Sequence, residues 1–351
     1  MKPALILSTV AFMAFAVFRP AFADNPTTIR IGVAQPAVGN PPGIAGSTLA
    51  IAHAKDWREE EFKRDNIKVE WFFFKGAGPA VNEALTNDQL DFALQGDLPS
   101  IIGRAGGLKT KVILATSTRA NIYLAVPPDS SIKTAKDIRG KRVAFFKGTN
   151  GQLPINRFLE ANGLTEKDIK AINLDTATSQ AALTTKDVEA VFGGYELLKL
   201  RDKGIARIVY SSKNDSPIFT RQTHVLVTEN FAKKYSAATQ RLVNTLVRTA
   251  KWGADEANRE EVFNLWARTG TLTLADWKED FSGEPLRIRL SPLFDPFLTG
   301  RYKDAVDQAV KFKLTRKRFD VDQWIDRSYL NVALKEMKLE NYWPVTQADG
   351  K

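Results

Sequence analysis

Residues 83–97 read EALTNDQLDFALQGD, and residues 181–195, a constant 98 positions later, read AALTTKDVEAVFGGY. Ala84, Leu85, Thr86 and Gly96 meet Ala182, Leu183, Thr184 and Gly194, and the apolar positions between them coincide. Each stretch reads as the end of a short helix, then an apolar run of strand length, then glycine. Working outward, the same order of elements surrounds both. In the first copy, 28–34 (TIRIGVA) alternates and is β-branched, so it predicts a strand. A Pro/Gly-rich loop follows over 35–46, and Ser47 stands where a helix N-cap would. Next come a strand over 67–74 (IKVEWFFF), a short helix opened by Pro79, and a strand over 90–95 ended by Gly96. In the second copy, 142–146 (RVAFF) is a strand leading into Lys147-Gly148-Thr149-Asn150-Gly151 and a helix holding Ile155, Phe158 and Leu159. Strands over 169–174 and 188–192 follow, with a short helix around 180–183 between them. Alternating β and α elements, repeated once, predict an α/β chain of two similar lobes.

Between the copies, 112–126 (VILATSTRANIYLAV) predicts two strands with a polar break at 117–121, one leaving the first lobe and one entering the second. A strand over 222–228 (QTHVLVT) is placed to cross back. The remainder is largely helical. From Ser236, Leu242, Val243, Leu246, Val247 and Ala250 form one apolar stripe, and further helices are expected over 260–268, 301–311 and 322–334. The expected division is a leader over 1–23, a first lobe over 24–118, a second over 119–221, and a return to the first over 222–351.

The leader is read from Lys2, an apolar run over 4–18 broken only by Ser8 and Thr9, and Ala21-Phe22-Ala23, whose small residues suit a signal peptidase. The run is shorter than the ~20 residues of a spanning helix, although an N-terminal membrane anchor is the alternative. Cleavage after Ala23 would leave 328 residues with a formal charge of +8 in place of +10. The expectation is a soluble exported protein of the periplasm, without a lipid anchor because the chain has no cysteine.

The same absence excludes disulfides, thiolate zinc sites, iron–sulfur clusters and cysteine nucleophiles. Only His53 and His224 remain as imidazoles. His53, among alanines, reads as packed or surface, and His224, in an apolar strand, as a satisfied core or lining residue. No metal and no cofactor are expected. GxSxG, HExxH and GxxxxGK[ST] do not occur. The basic cluster Lys311, Lys313, Arg316, Lys317 and Arg318 alternates with Phe312, Leu314 and Phe319, which reads as a solvated amphipathic face rather than a nucleic-acid site. Trp71 and residues 72–74 read as mostly core, and Phe294 and Tyr302 as a segment that could close one side of a cleft.

In open α/β sheets, ligands bind outside the carboxyl ends of strands, where helices present free N–H groups. Four such ends are available: Gln35 with Gly46-Ser47, Gly96-Asp97, Gly148-Thr149-Asn150, and Gly194-Tyr195-Glu196. Ser117, Thr118 and Arg119 at the crossover add two hydroxyls and a guanidinium. One helix N-terminus contributes about 0.3–1 kcal/mol, whereas micromolar affinity needs about −8 kcal/mol. Donors from both lobes must therefore converge, as in a hinged binder of a small anion or polar anion-bearing molecule. Asp97 and Glu196 could instead form a catalytic carboxylate pair in an exported enzyme, or simply cap helices.

Three stretches carry a resemblance: IRIG at 29–32, EALTNDQLDFALQGDLPS at 83–100 and VPPDSSIKTAKDIRGKRVAFFKGTNG at 126–151. With them the chain resembles the periplasmic substrate-binding proteins of ABC importers for aliphatic sulfonates, taurine and nitrate. The resemblance implies a two-lobed fold with two crossovers, C-terminal helices returning to the first lobe, and a monomer. It also implies a ligand held non-covalently and delivered to a membrane permease and, through it, an ATPase. It makes Gly96-Asp97 the turn after the third strand, Gly148-Thr149-Asn150 the anion-binding loop, and Ser117-Thr118 the first-lobe hydroxyls. The chain departs from many sulfonate binders at Gly193-Gly194-Tyr195-Glu196, where they carry Trp-Asp-Pro. That turn is similar to the one in binders of a thiamine-precursor pyrimidine. The implied ligand is a sulfonate, another organic anion or a neutral heteroaromatic.

Overall fold

The computed structural model describes residues 25–40 and 42–351, so the leader over 1–23 lies outside the described residues. Ten strands form two sheets. They are β1 (Thr28–Val33), β2 (Lys68–Phe73), β3 (Phe92–Gly96), β4 (Thr110–Ala120), β5 (Tyr123–Val126), β6 (Arg142–Phe145), β7 (Lys170–Asn173), β8 (Ala190–Gly193), β9 (Arg207–Ser211) and β10 (Arg221–Thr228). One sheet has the order β2-β1-β3-β10-β4 and the other β7-β6-β8-β5-β9. In each, three parallel strands are followed by one antiparallel to both its neighbours.

The internal repeat survives at atomic detail. Asp88 and Lys186, 98 apart, are both left-handed, with φ of 53° and 62°. In each copy this residue ends the helix, and the next N–H bonds back: Gln89 to the Ala84 carbonyl and Asp187 to the Ala182 carbonyl, both at 2.9 Å. A left-handed residue closing a helix in this way satisfies carbonyls that would otherwise lack partners. An acid then opens each strand. Asp91 accepts from the Arg30 N–H and Glu189 from the Arg142 N–H, both at 2.8 Å. The following register also matches, Phe92 opposite Ile31 and Ala190 opposite Val143.

The chain leaves the first sheet at the end of β4 and enters the second at β5, with residues 121–122 between. The expected polar break at 117–121 is thus mostly strand. β4 continues through Ser117 because β10 pairs with it there, Thr223 opposite Ser117 and Arg221 opposite Ala120. In the second lobe, Leu124, Val143 and Phe145 fall in one apolar cluster and Tyr123, Ala125 and Ala144 in another. These alternate along the strands, so the two clusters lie on opposite faces of the sheet. The first lobe shares one core with the C-terminal helices. In the helix Ser236–Gly253, the stripe Leu242, Val243, Leu246, Val247 and Ala250 is buried.

Three further expectations change. The helix over 322–334 is two, Val321–Trp324 and Ser328–Glu336, because the segment between them bridges the edge of β4. Ile325 pairs with Val112, and the Asp326 N–H bonds the Val112 carbonyl at 2.9 Å. This covers backbone groups that an edge strand otherwise leaves open. Phe72 is exposed, since alternation along β2 turns it away from Trp71 and Phe73. Phe294 and Tyr302 lie in the first lobe's core and not on the cleft. In the basic cluster, the five cations are exposed while Phe312, Leu314 and Phe319 pack against the core.

Candidate binding cleft

The carboxyl ends of β1, β3, β6 and β8 open on one cleft of about 460 Å³ between the sheets. Its lining brings together Gln35, Ser47, Gly96 and Ser117 from the first lobe with Thr149, Asn150, Gly194, Tyr195 and Glu196 from the second. Each arrives for a local reason. Ser47 caps the helix Thr48–Ala54, its Oγ accepting from the Ala50 N–H at 3.2 Å. Gly96 ends β3 and starts the helix Asp97–Ala105 without a side-chain cap. Thr149, Asn150 and Gly151 precede the helix Gln152–Ala161. The start of the helix Thr176–Thr184 also reaches the lining through Thr176, Ser179 and Gln180, for which no local pattern in the chain is a signal.

The lobes touch across this cleft. A Cβ added to Gly96 would lie 2.2 Å from the Asn150 Cβ. The Tyr195 ring stacks at a tilt on Trp277, 4.6 Å between centroids, and lies against Gly46. Tyr195 therefore belongs to the packing of both lobes, and burial pushes its phenol pKa up.

Four residues expected at the site are not on the lining. Asp97 is buried, with its Oδ1 accepting from the Leu98 N–H at 2.8 Å. Burial pushes its pKa up to about 6, against the pull of Arg157 and Arg221. Thr118 follows Ser117 and so faces the other side of β4, where its hydroxyl donates to the Ile288 carbonyl at 2.7 Å. Arg119 has φ of 55°; its guanidinium donates to the Gly350 carbonyl at 2.6 Å and covers the Phe297 ring. Gly148, with φ of 75°, makes the turn, and its N–H is taken by the Gln152 side chain at 2.8 Å. Glu196 lines the cleft but caps its own turn, Oε1 accepting from the Gly194 N–H at 2.7 Å. Asp97 and Glu196 are thus each engaged with local backbone rather than with one another.

The cleft's main cation is one the sequence reading passed over. Arg221, the first residue of β10, lines the cleft, and its Nε donates to the Asn121 carbonyl at 3.2 Å. No carboxylate pairs with it among the described residues. Its one sequence signal is position, immediately before the strand that crosses back. His224, three residues on, is buried core: Nε2 meets Ser100 Oγ at 2.9 Å and Nδ1 meets the Tyr302 hydroxyl. Burial pushes its pKa down to about 3, so it is neutral. His53 sits edge-on to Trp71 outside the cleft. Among the described residues no group of three or more His, Asp or Glu is placed to hold a metal, and no helix is long and apolar enough to cross a membrane.

Residues 47–260 match the family described as NMT1/THI5 like. An aliphatic sulfonates-binding protein of Bacillus subtilis is 27% identical over 315 residues, 88% of this chain and 88% of its own. That of Escherichia coli is 26% identical over 361 aligned residues, 100% of this chain and 99% of its own. The periplasmic sulfonate-binding protein SsuA of Methylobacillus flagellatus superposes with a TM-score of 0.79 at 30% identity, covering 91% of this chain and 97% of that one. The duplicated sheets, the two crossings and the interlobe cleft are thus those of the two-lobed periplasmic binding proteins, and the chain belongs to the NMT1/THI5-like family.

Proposed function

We propose that this protein is the solute-binding component of an ABC importer. In this reading it is an exported monomer that takes an organic sulfonate into the interlobe cleft and presents it to a permease coupled to an ATPase. The observation that carries the reading is Arg221, a guanidinium with no carboxylate partner among the described residues, facing a cleft whose other donors, apart from the exposed Lys199, are neutral hydroxyls, amides and helix starts from both lobes. The sulfonate-binding relatives support the anion class. A neutral pyrimidine would close the cleft over that guanidinium without a partner, and an unpaired charge taken out of water is costly. The ligand-binding set on this reading is Gln35, Ser47, Gly96, Ser117, Thr149, Asn150, Gly194, Tyr195 and Glu196, joined by Arg221. Asp97, Thr118, Arg119 and Gly148 act behind it. We read no catalysis here, because Asp97 and Glu196 are both spent on backbone N–H groups.

Thermal unfolding against sulfonates, nitrate, taurine, aromatic acids and pyrimidines tests this. A ligand bound only by the native state adds about 2.7 kcal/mol at a hundredfold excess over Kd. Stabilisation by sulfonates, with stoichiometric binding and the compound recovered unchanged, is the expected result. Stabilisation by pyrimidines alone, or conversion of the compound, would overturn the assignment.

A further inference from the structure

We infer that two ionic clasps, made by residues outside the ligand-binding set, hold the lobes together in the absence of ligand, so that ionic strength sets how much of the free protein stands open. The first clasp joins the helix Gln152–Ala161 of the second lobe to the helix Pro296–Lys311, whose Tyr302, Ala305 and Val306 belong to the first lobe's core. Arg157 Nη2 lies 2.9 Å and its Nε 3.1 Å from Asp304 Oδ2, and Lys311 Nζ lies 2.6 Å from Glu160 Oε1. Arg157 and Glu160 are about one turn apart on their helix, and Asp304 and Lys311 about two turns apart on theirs. Each helix thus offers one charge of each sign, and each charge meets its opposite. The second clasp joins the helix Leu198–Asp202 and the turn Ser212–Asn214 of the second lobe to the helix Leu274–Asp280, whose Trp277 is first-lobe core. Arg201 forks onto both Glu279 oxygens, at 2.5 and 2.8 Å. Lys213 Nζ donates to the Glu279 carbonyl at 2.6 Å and to Ser282 Oγ at 2.5 Å.

None of these residues lines the cleft, so the clasps act whether or not it is filled. At the first, burial decides the effect. The Arg157 side chain is only 6% exposed, and Arg301 also reaches Asp304, at 3.6 Å. Burial, and after it the charge of Arg157, lowers the Arg301 pKa. The Asp304 carboxylate therefore stands between two guanidiniums. Without it, two cations share a seam closed to water, and the least costly relief is for the lobes to part and hydrate them. The second clasp is more exposed, but its Arg–carboxylate fork is the geometry in which a surface pair counts. One contact there opposes closure: Asp202 is hydrogen-bonded to the Asp276 carboxyl across the same seam, and Arg201, 2.7 Å from Asp202, offsets it. Exposed pairs each shift an equilibrium by about 1.4- to 5-fold. Raising salt from about 0.01 to 1 M shortens the Debye length from about 30 to 3 Å and weakens both clasps.

The test uses no ligand, so it stands or falls apart from the receptor reading. The chain has no cysteine, and Glu83→Cys with Ala181→Cys places one spin label on each lobe, at exposed positions of the helices Ala77–Thr86 and Thr176–Thr184. Electron–electron double resonance then reads the interlobe distance. In low salt the labelled parent should show mainly the short, closed distance, and 1 M salt should lower the closed-to-open ratio by about 10-fold. Asp304→Asn combined with Glu279→Gln should do the same in low salt. Lys311→Glu sets two carboxylates against each other and should open the lobes, and adding Glu160→Lys restores an opposite pair and should return the parent's distances. Circular dichroism separates parted lobes from a folding defect, and the salt series, which needs no clasp variant, decides the matter where Asp304→Asn fails to fold. Distances unmoved by salt, distances unmoved by the double variant when it folds, or a Lys311→Glu opening that Glu160→Lys does not reverse would each overturn the inference.

Discussion

Replacing Gly96 by alanine should cost binding without costing the fold. Gly96 has φ −81° and ψ 169°, an extended conformation that alanine adopts freely, so no backbone strain enters. The added methyl would sit 2.2 Å from the Asn150 Cβ and 2.9 Å from its Cγ. Carbon atoms need about 3.5–4.0 Å, a shortfall of roughly 1.5 Å. The Asn150 Cβ cannot swing aside, because it moves only with its backbone. Gly96 belongs to the first sheet and Asn150 to the loop after β6 of the second, so the least costly relief is for the lobes to part. Overpacking of this kind costs about 1–3 kcal/mol, here charged to the closed state alone, and apparent affinity falls with the closed fraction. That is about a 5- to 150-fold rise in Kd for a bound sulfonate, with ligand-free thermal unfolding nearly unchanged. Calorimetry on Gly96→Ala, Asn150→Gly and the double variant measures it. The coupling should be favourable in the double variant, since Asn150→Gly removes the clashing atom. An unchanged Kd in Gly96→Ala, or a loss that Asn150→Gly does not relieve, would refute interlobe contact as the cause.

Three other variants probe what holds the site. Arg289→Met leaves the Asp280 carboxylate buried with only Asn121 and Tyr123 to hold it, and should lower stability by about 3–5 kcal/mol in urea unfolding; a loss under 1 kcal/mol would contradict this. Asp97→Asn tests a pH effect. The folded pKa of about 6 lies above the unfolded value of about 3.9, so the native state binds the extra proton and stability declines as pH rises from 4 through 6. The variant should flatten that decline and be more stable than the parent above pH 7, by at most about 3 kcal/mol; equal pH slopes in both proteins would count against it. Arg119→Ala frees Gly350 and Phe297 from the guanidinium. It should lower stability by about 1–2 kcal/mol while sulfonate Kd stays within threefold, and a tenfold weaker Kd would return Arg119 to the site.

The repeated helix–strand unit is legible in the chain because everything that builds it is local. The left-handed residue at 88 and 186, the back-bonding N–H and the strand-opening acid lie within a dozen residues, and the 98-residue offset preserves each. The glycine-marked strand ends are legible for the same reason, and they bring eight of the expected residues to one cleft. What fails is the direction of side chains at the crossover. Ser117, Thr118 and Arg119 are adjacent, and only Ser117 faces the cleft, because pairing with β10 extends the strand so that alternation turns Thr118 away, and the left-handed backbone at Arg119 breaks the alternation that would have kept it on the side of Ser117. That pairing joins residues about a hundred positions apart. The split of the helix expected over 322–334 has the same origin, a bridge to Val112 that no local pattern announces.

Those distant pairings also decide how binding and closure are joined. In each sheet the fourth strand, β10 in one and β5 in the other, is the one that arrives from the opposite lobe. Arg221 opens β10, and Asn121 stands between β4 and β5, so the two crossings meet in a single hydrogen bond from Arg221 Nε to the Asn121 carbonyl. Asn121 is anchored from behind, its amide donating to Asp280 Oδ1 at 2.9 Å, while Asp280 also accepts from the Tyr123 hydroxyl and is paired with Arg289 at 3.1 Å. Burial opposes the Asp280 charge, but Arg289, Tyr123 and Asn121 outweigh it and hold its pKa low. One crossing is thereby fixed to the C-terminal helices of the first lobe. An anion bonded to Arg221 and to the helix starts of the second lobe acts across the point where the lobes are tied. On the proposed reading, the guanidinium that meets the anion and the crossing between the lobes are one hydrogen bond apart, so a ligand contact would bias closure without any relay of side chains between them.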